Sequence, residues 1–201
     1  MKTKLFFSTL LLTAAAAAAQ AFSPADLQAQ LQKNQTVQGQ FEQSRFIRSL
    51  NRPMQTSGTF VLQRQKGLLW QVQKPLEIKL RVRGDGIAQW DAKNRRWHGN
   101  GAGHAQAAQV KLFMALLGGD TAALNKQFDL RLSGSPQNWS LKLQPKTAVM
   151  KQVFEGIDVA GNGALIQKVE LREKQGERTV MRFLAQQANR PLAADARAAL
   201  E

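Results

Sequence analysis

Two histidines are the only imidazoles in a chain of 201 residues, and no cysteine accompanies them. His98 and His104 flank the stretch "GNGAG". A zinc site needs at least three well-placed nitrogen, sulfur or oxygen ligands. With no thiolate available and no pair of carboxylates nearby, these two read as loop histidines. The glycine-rich stretch superficially suggests a phosphate cradle, but it lacks the Lys-Ser/Thr ending and a parallel-sheet context. It reads as a flexible connection. Asp85, Asp91, Asp120, Asp129 and Asp158 are expected on turns and strand ends, no serine occupies a nucleophile elbow, and no carboxylate pair is set for acid–base work. Nothing asks for an enzyme, a metal or another cofactor. One odd residue remains. In "GTFVLQRQKGLLWQVQKP", from Gly58 to Pro75, Phe60, Leu62 and Arg64 share one face of a strand at a spacing of two. An arginine aligned with large apolar side chains either snorkels to water at the strand end or reaches something that is neither water nor sealed core.

The elements that would position such a face can be read from period and punctuation. Phe22-Ser23-Pro24-Ala25-Asp26-Leu27 opens a helix: Ser23 can cap, Pro24 takes the first helical position, and Asp26 suits the dipole. Phe22 and Leu27 have the spacing of a hydrophobic staple, and Leu31 continues the apolar side. After Asn34 the period becomes two. Val37, Gly39 and Phe41 alternate with polar residues, followed by Phe60 and Leu62; Leu68, Trp70 and Val72; Ile78, Leu80 and Val82. Further alternating runs hold Phe128, Leu130 and Leu132; Trp139, Leu141 and Leu143; Val169 and Leu171; Thr179, Met181 and Phe183. Glycine-rich turn signals separate them. This is the pattern of an antiparallel sheet with one apolar and one wet face. The glutamines from Gln28 to Gln43 read as polar surface of helix and strand.

Between His104 and Leu117 the period is helical: Val110, Phe113, Met114 and Leu117 form a stripe that Gly118-Gly119 stops. A brief second helix should run from Asp120 through Lys126. So little helix cannot cover a large sheet. A closed barrel or a strongly curved sheet would hide the apolar face, with the helices plugging its mouth.

Met1–Ala21 is expected to be a secretory signal peptide, leaving 22–201 as one domain. Lys2 and Lys4 precede an apolar run, and Ala19-Gln20-Ala21 supplies the cleavage site. No cysteine follows that could carry a lipid. The formal charge is +14, of which Lys2 and Lys4 would leave with the signal. Export makes nucleic acid an unsuitable partner. Anionic lipid head groups or an acidic protein suit such a charge, as does simple solubility. "RSLNRP", following Arg45 and with Phe46, Ile47 and Leu50 interleaved, is the basic connection where such a contact would fall, unless it is a solvated loop with apolar anchors.

The stretch "GQFEQSRFIRSLNRPMQTSGTFVLQRQKGLLWQVQKP" resembles the periplasmic outer-membrane lipoprotein carrier family, LolA and its relatives. The resemblance rests on the capped first helix, Phe41-x-Gln43, Ser57-Gly58, Arg64, Leu68-x-Trp70 and Pro75. Gly84-Asp85-Gly86 leading to Trp90, and Leu143-x-Pro145-Lys146, extend it over nearly the whole mature chain. It implies a mainly β fold with few helices: a strongly curved, incomplete antiparallel barrel whose helices lid a hydrophobic cavity for acyl chains. Phe41, Phe60, Leu62, Trp70, Leu80, Val82, Phe113, Met114 and Leu117 would line that cavity. Arg64 would latch the lid by hydrogen bonds to its backbone. The implied cargo is an acylated lipoprotein, received from an inner-membrane ABC exporter and passed to an outer-membrane acceptor by a periplasmic monomer. The family's Arg-Pro is Arg64-Gln65 here, and the Arg45–Pro53 connection, spelled R-F-I-R-S-L-N-R-P, resembles a divergent branch, which implies other lipids such as aryl polyenes or glycolipids. A basic envelope scaffold that transports nothing is the alternative of another class.

Overall fold

The computed structural model describes residues 21–84, 86–99, 112 and 114–201. The expected signal peptide before Ala21 lies outside the described residues, as do Asp85, His104, Val110 and Phe113.

Helix α1 (Pro24–Leu31) begins as its sequence requires. Ser23 Oγ accepts from the Asp26 N–H, and the Asp26 carboxylate accepts from the Ser23 N–H at 2.9 Å. These two bonds satisfy donors that a helix start leaves orphaned. The Ser23 hydroxyl also donates to the Asp26 carboxylate at 2.6 Å, and that bond first, with the one from the Ser23 N–H second, holds the carboxyl below its ordinary range.

The alternating segments form eleven strands: β1 (Thr36–Phe46), β2 (Met54–Gln63), β3 (Gly67–Lys74), β4 (Ile78–Arg83), β5 (Gly86–Asp91), β6 (Arg96–Gly99), β7 (Phe128–Ser135), β8 (Asn138–Pro145), β9 (Phe154–Asn162), β10 (Leu165–Glu173) and β11 (Arg178–Ala188). Among the described residues, α2 (Thr121–Asn125), α3 (Ala148–Val153) and α4 (Ala194–Leu200) are short helices that join α1, and residues 112 and 114–117 are also helical. The strands make one antiparallel sheet in the order β6-β5-β4-β3-β2-β1-β11-β10-β9-β8-β7. Two meanders therefore meet where the first and last strands pair. The sheet is strongly curved and does not close. Register shifts at Gln38/Gln40, Ser57/Gly58, Ile166/Lys168 and Arg172/Glu173 are bulges of the kind that bend strands.

One parity of nearly every strand faces inward. Phe41, Phe60, Leu68, Trp70 and Val82 join Leu141, Leu143, Ile157, Val159, Val169, Met181 and Phe183 in a single core, over which Leu27 of α1 and Leu124 of α2 pack. Gly58 lets β2 and β3 approach, since a Cβ there would stand 1.9 Å from the Gln71 carbonyl oxygen.

The outer face departs from the expectation of a wet surface. Leu69 lies buried there with Ala196, Ala199 and Leu200 of α4, and Val61 and Trp97 pack beside them. Three placements also differ from the sequence reading. His98 is on strand β6, not in a loop; Asp158 is mid-strand in β9, where it accepts from Arg172. The helical residues before Gly118 bury Leu112 and Leu116, which the expected stripe omitted, and leave Met114 and Leu117 half-buried. α2 follows the expected bounds, with Asp120 as its cap at 2.9 Å from the Ala123 nitrogen.

Candidate functional site

A cavity of about 270 Å³ opens where the end of α1 meets the turn side of the sheet. Its apolar part is built from Leu31, Val37, Phe60, Leu62, Met114, Leu117, Leu165, Ile166 and Phe183, and its polar edge from Gln32, Asn34, Gln63, Arg64 and Gln186, among others. Of the residues expected from sequence, the structure brings Phe60, Leu62, Met114, Leu117 and Arg64 together here. Phe41, Trp70 and Val82 share the same face but are sealed deeper in the core, and Leu80 packs against it. Phe113 lies outside the described residues.

The floor explains that division. Phe41 stacks on Trp70 with ring centroids 3.8 Å apart, and Phe60 meets Phe183 edge-on at 5.1 Å. Phe60 and Phe183 thus belong to both the cavity and the packed layer, separating open space above from filled space below. Offset and edge-on aromatic pairs hold such a floor rigid. β1 makes the arrangement, pairing Phe41 with Gly58 on one side and with Phe183 on the other.

Arg64 answers the question its position raises. It lies just beyond β2, and its guanidinium donates to the carbonyl of Gln32, the C-cap of α1. A helix end leaves its last carbonyls unpaired and carries partial negative charge, so a cation there is favourable twice over. The backbone of the same turn is held in place: the Arg64 N–H donates to the Gln35 carbonyl at 2.8 Å. Gln65 has φ 63°, a left-handed conformation that a proline ring forbids. The turn therefore differs in shape from one with Arg-Pro at this point.

Sequence reasoning took the glutamines of α1 for surface, and the structure corrects this. Gln30 Nε2 donates to the Pro136 carbonyl at 2.9 Å and to that of Gly163, while Thr121 Oγ1 donates to Gln28 Oε1 at 2.5 Å. Asn34 Nδ2 donates to the Ala164 carbonyl at 2.8 Å. So α1 is stitched across the sheet by side chains, with few apolar anchors. Gly119, at φ +66°, lets the residue 118–119 turn touch Leu31: a Cβ there would be 2.6 Å from the Leu31 Cβ. Within the cavity Gln63 Oε1 is buried and accepts from no protein donor among the described residues.

Elsewhere the polar groups lie mainly at the surface, although Asp158 Oδ1 is buried without a partner among the described residues. His98 Nε2 sits 3.1 Å from Asp91 Oδ2 and 3.0 Å from Arg96 Nε; a single ring nitrogen can serve one or the other. Asn94 donates to Asp91 from backbone and side chain, lowering that carboxyl to about 2. Among the described residues no group of three or more histidines and carboxylates is placed to hold a metal ion, and no helix is long and apolar enough to cross a membrane.

The chain is thus an open, curved antiparallel sheet with short helices over an apolar cavity. The family model described as outer membrane lipoprotein carrier protein LolA-like matches residues 8–201, and the chain belongs to that family. An outer-membrane lipoprotein carrier protein of Cupriavidus taiwanensis is 31% identical over 150 residues, spanning 70% of this chain and 64% of that relative. The corresponding protein of Dechloromonas aromatica is 28% identical over 156 residues, spanning 76% of this chain and 71% of its own length. Among solved structures, MucB superposes with a TM-score of 0.50 at 15% identity, over 92% of this chain and 63% of that one, a likeness of fold. This chain thus spans less than two thirds of MucB.

Proposed function

We propose that the protein is a periplasmic, monomeric carrier that encloses acyl chains beneath α1 and the 114–117 helical segment. The observation that carries this reading is the Arg64–Gln32 contact closing an apolar cavity with a rigid aromatic floor. Burying a methylene is worth roughly 0.8 kcal/mol, so a chain of about fifteen resists the aqueous gap by on the order of 12 kcal/mol. A carrier must meet that cost with an apolar lining and still let go. At about 270 Å³ the closed cavity lies just below the usual range of ligand pockets, so a whole acyl chain requires the lid to move. The lid is held by hydrogen bonds that can break and re-form, which suits it to that movement.

The cargo supported best is the acylated end of a lipoprotein, taken from an inner-membrane exporter and delivered to an outer-membrane acceptor. The resemblance of the Arg45–Pro53 connection to a divergent branch supports a second cargo class, another envelope lipid such as an aryl polyene or glycolipid. Neither cargo requires catalysis. Two measurements test the reading: mass spectrometry of lipid co-purifying from the periplasm, and titration of delipidated protein with an acylated lipoprotein. A soluble one-to-one complex is expected. Without a complex, and without bound lipid, the protein would be a scaffold and the carrier reading would fall.

A further inference from the structure

We infer that the rim opposite the cavity is a docking surface for an anionic lipid bilayer. The strand register gathers this rim from segments far apart in sequence. Phe46 pairs with Arg178, Arg45 with Met54, Ser57 with Lys74, Phe154 with Glu173 and Phe128 with Pro145. α3 joins it, because the Lys174 N–H donates to the Val153 carbonyl at 3.0 Å. Five of the exposed large apolar side chains fall on it: Leu50, Met54, Leu76, Val149 and Val153, between 41% and 72% exposed. They come from the β1–β2 connection, the start of β2, the β3–β4 turn and α3.

The same segments carry six exposed cations: Arg48, Arg52, Lys74, Lys146, Lys151 and Lys174. Among the described residues none of these makes an ion pair. The exposed acids of these segments are Glu77, Asp129 and Glu155. Glu173 and Glu177 are engaged by Arg45, at 3.7 and 2.6 Å. The rim is therefore apolar at its tips and positive between them.

That pattern selects a planar anionic surface over an acidic protein. A peptide or helix docks along a sheet edge or in a groove, whereas the five apolar tips are spread over the ends of several strands and α3. A bilayer takes scattered apolar insertions, and its anionic head groups attract the cations around them. The contact uses the rim away from the Arg64 latch and is independent of what the cavity holds.

Flotation of the mature protein with vesicles of phosphatidylglycerol and phosphatidylethanolamine tests the proposal, with phosphatidylcholine vesicles and soluble polyglutamate as parallel arms. Binding to the anionic vesicles alone, weakened by salt, is expected. Each cation near such a surface contributes about fivefold, so Lys146→Glu with Lys174→Glu should weaken binding at least about twentyfold. Lys66→Glu with Arg190→Glu, an equal charge change at the cavity rim, should change it far less. Leu76→Ser with Val149→Ser should weaken binding even at low salt. All six positions are exposed, and thermal melts matching wild type establish that the variants fold. The proposal is overturned by absence of anionic-vesicle binding, by equal loss in the two charge pairs, by indifference to the apolar pair, or by polyglutamate binding as tightly as vesicles.

Discussion

Replacing Arg64 by leucine is the perturbation whose sign depends most directly on the lid being a latch. In the closed form the guanidinium donates to the Gln32 carbonyl at the negative end of α1. Hydrogen bonds to a charged group contribute about 1.5–3 kcal/mol, and no ion pair with Arg64 complicates the comparison among the described residues. If cargo opens the lid, this contribution belongs to the empty state alone and drives release. Arg64→Leu removes it and adds apolar surface beside Leu62. At about 1.4 kcal/mol per decade, cargo should be held roughly ten- to a hundredfold more tightly. Loading survives; delivery stalls. The assay is the dissociation rate of a fluorescent acylated cargo, with amide exchange at residues 31–34 of the empty protein as a second readout. The variant should release more slowly and exchange faster, because α1 has lost a partner for its last carbonyls. Arg64→Lys, which keeps the charge without the planar fork, should fall between. Release that is unchanged or faster in Arg64→Leu would refute the latch and leave Arg64 as a strand-end side chain reaching for water.

Other consequences follow from the same geometry. Gln30→Ala removes donors to the Pro136 and Gly163 carbonyls; at about 0.5–1.5 kcal/mol per bond, exchange protection of α1 should drop several-fold with little change in global melting. Gly58→Ala would drive a Cβ against the Gln71 carbonyl, so it should destabilise the fold by about 1–3 kcal/mol in denaturant titration. The Asp26 carboxyl is lowered by its bonds to Ser23, so its stabilisation of α1 is complete above the ordinary value near 3.8 and disappears as pH falls through the depressed one. Exchange at the start of α1 should therefore rise in acid for the wild type, whereas Asp26→Asn should show a flatter profile.

The inward face of the sheet was legible because one parity of each strand is buried, and burial on one face writes a period of two into the sequence. The Ser23 cap, the stop at Gly118-Gly119 and the helix start at Asp120 were legible because they are local chemistry. What stayed hidden was set by distance. Phe183, Ile166 and Gln186 enter the cavity because β11 pairs with β1 and β10 with β11, a closure that neither end of the chain announces. Gln28, Gln30 and Asn34 look like solvent-facing residues until their partners at positions 121, 136, 163 and 164 arrive. α4 was missed because its alanines carry little periodic signal and its seat, beside Leu69, lies on the face read as wet.

An open sheet has a use here that a closed barrel would lack. Closure fixes diameter through strand number and shear, so the interior could grow only by breaking a ladder. Among the described residues β6 and β7 are the outermost strands of one sheet, and curvature comes from bulges whose angles can adjust. The cost of an open sheet is two edges that invite unwanted pairing. β6 limits this by being four residues long, and β7 places charged Asp129 and Arg131 along its outer row. Above the cavity, the lid rests on side-chain bonds to turns at both halves of the sheet: Arg64 in the first meander, Pro136, Gly163 and Ala164 in the second. On the proposed carrier function, spreading the halves and lifting α1 would become one motion, opposed by hydrogen bonds at the rim while the aromatic floor stays packed. In such a carrier, filling the cavity and releasing the latch would be linked, and each would favour the other by the same free energy.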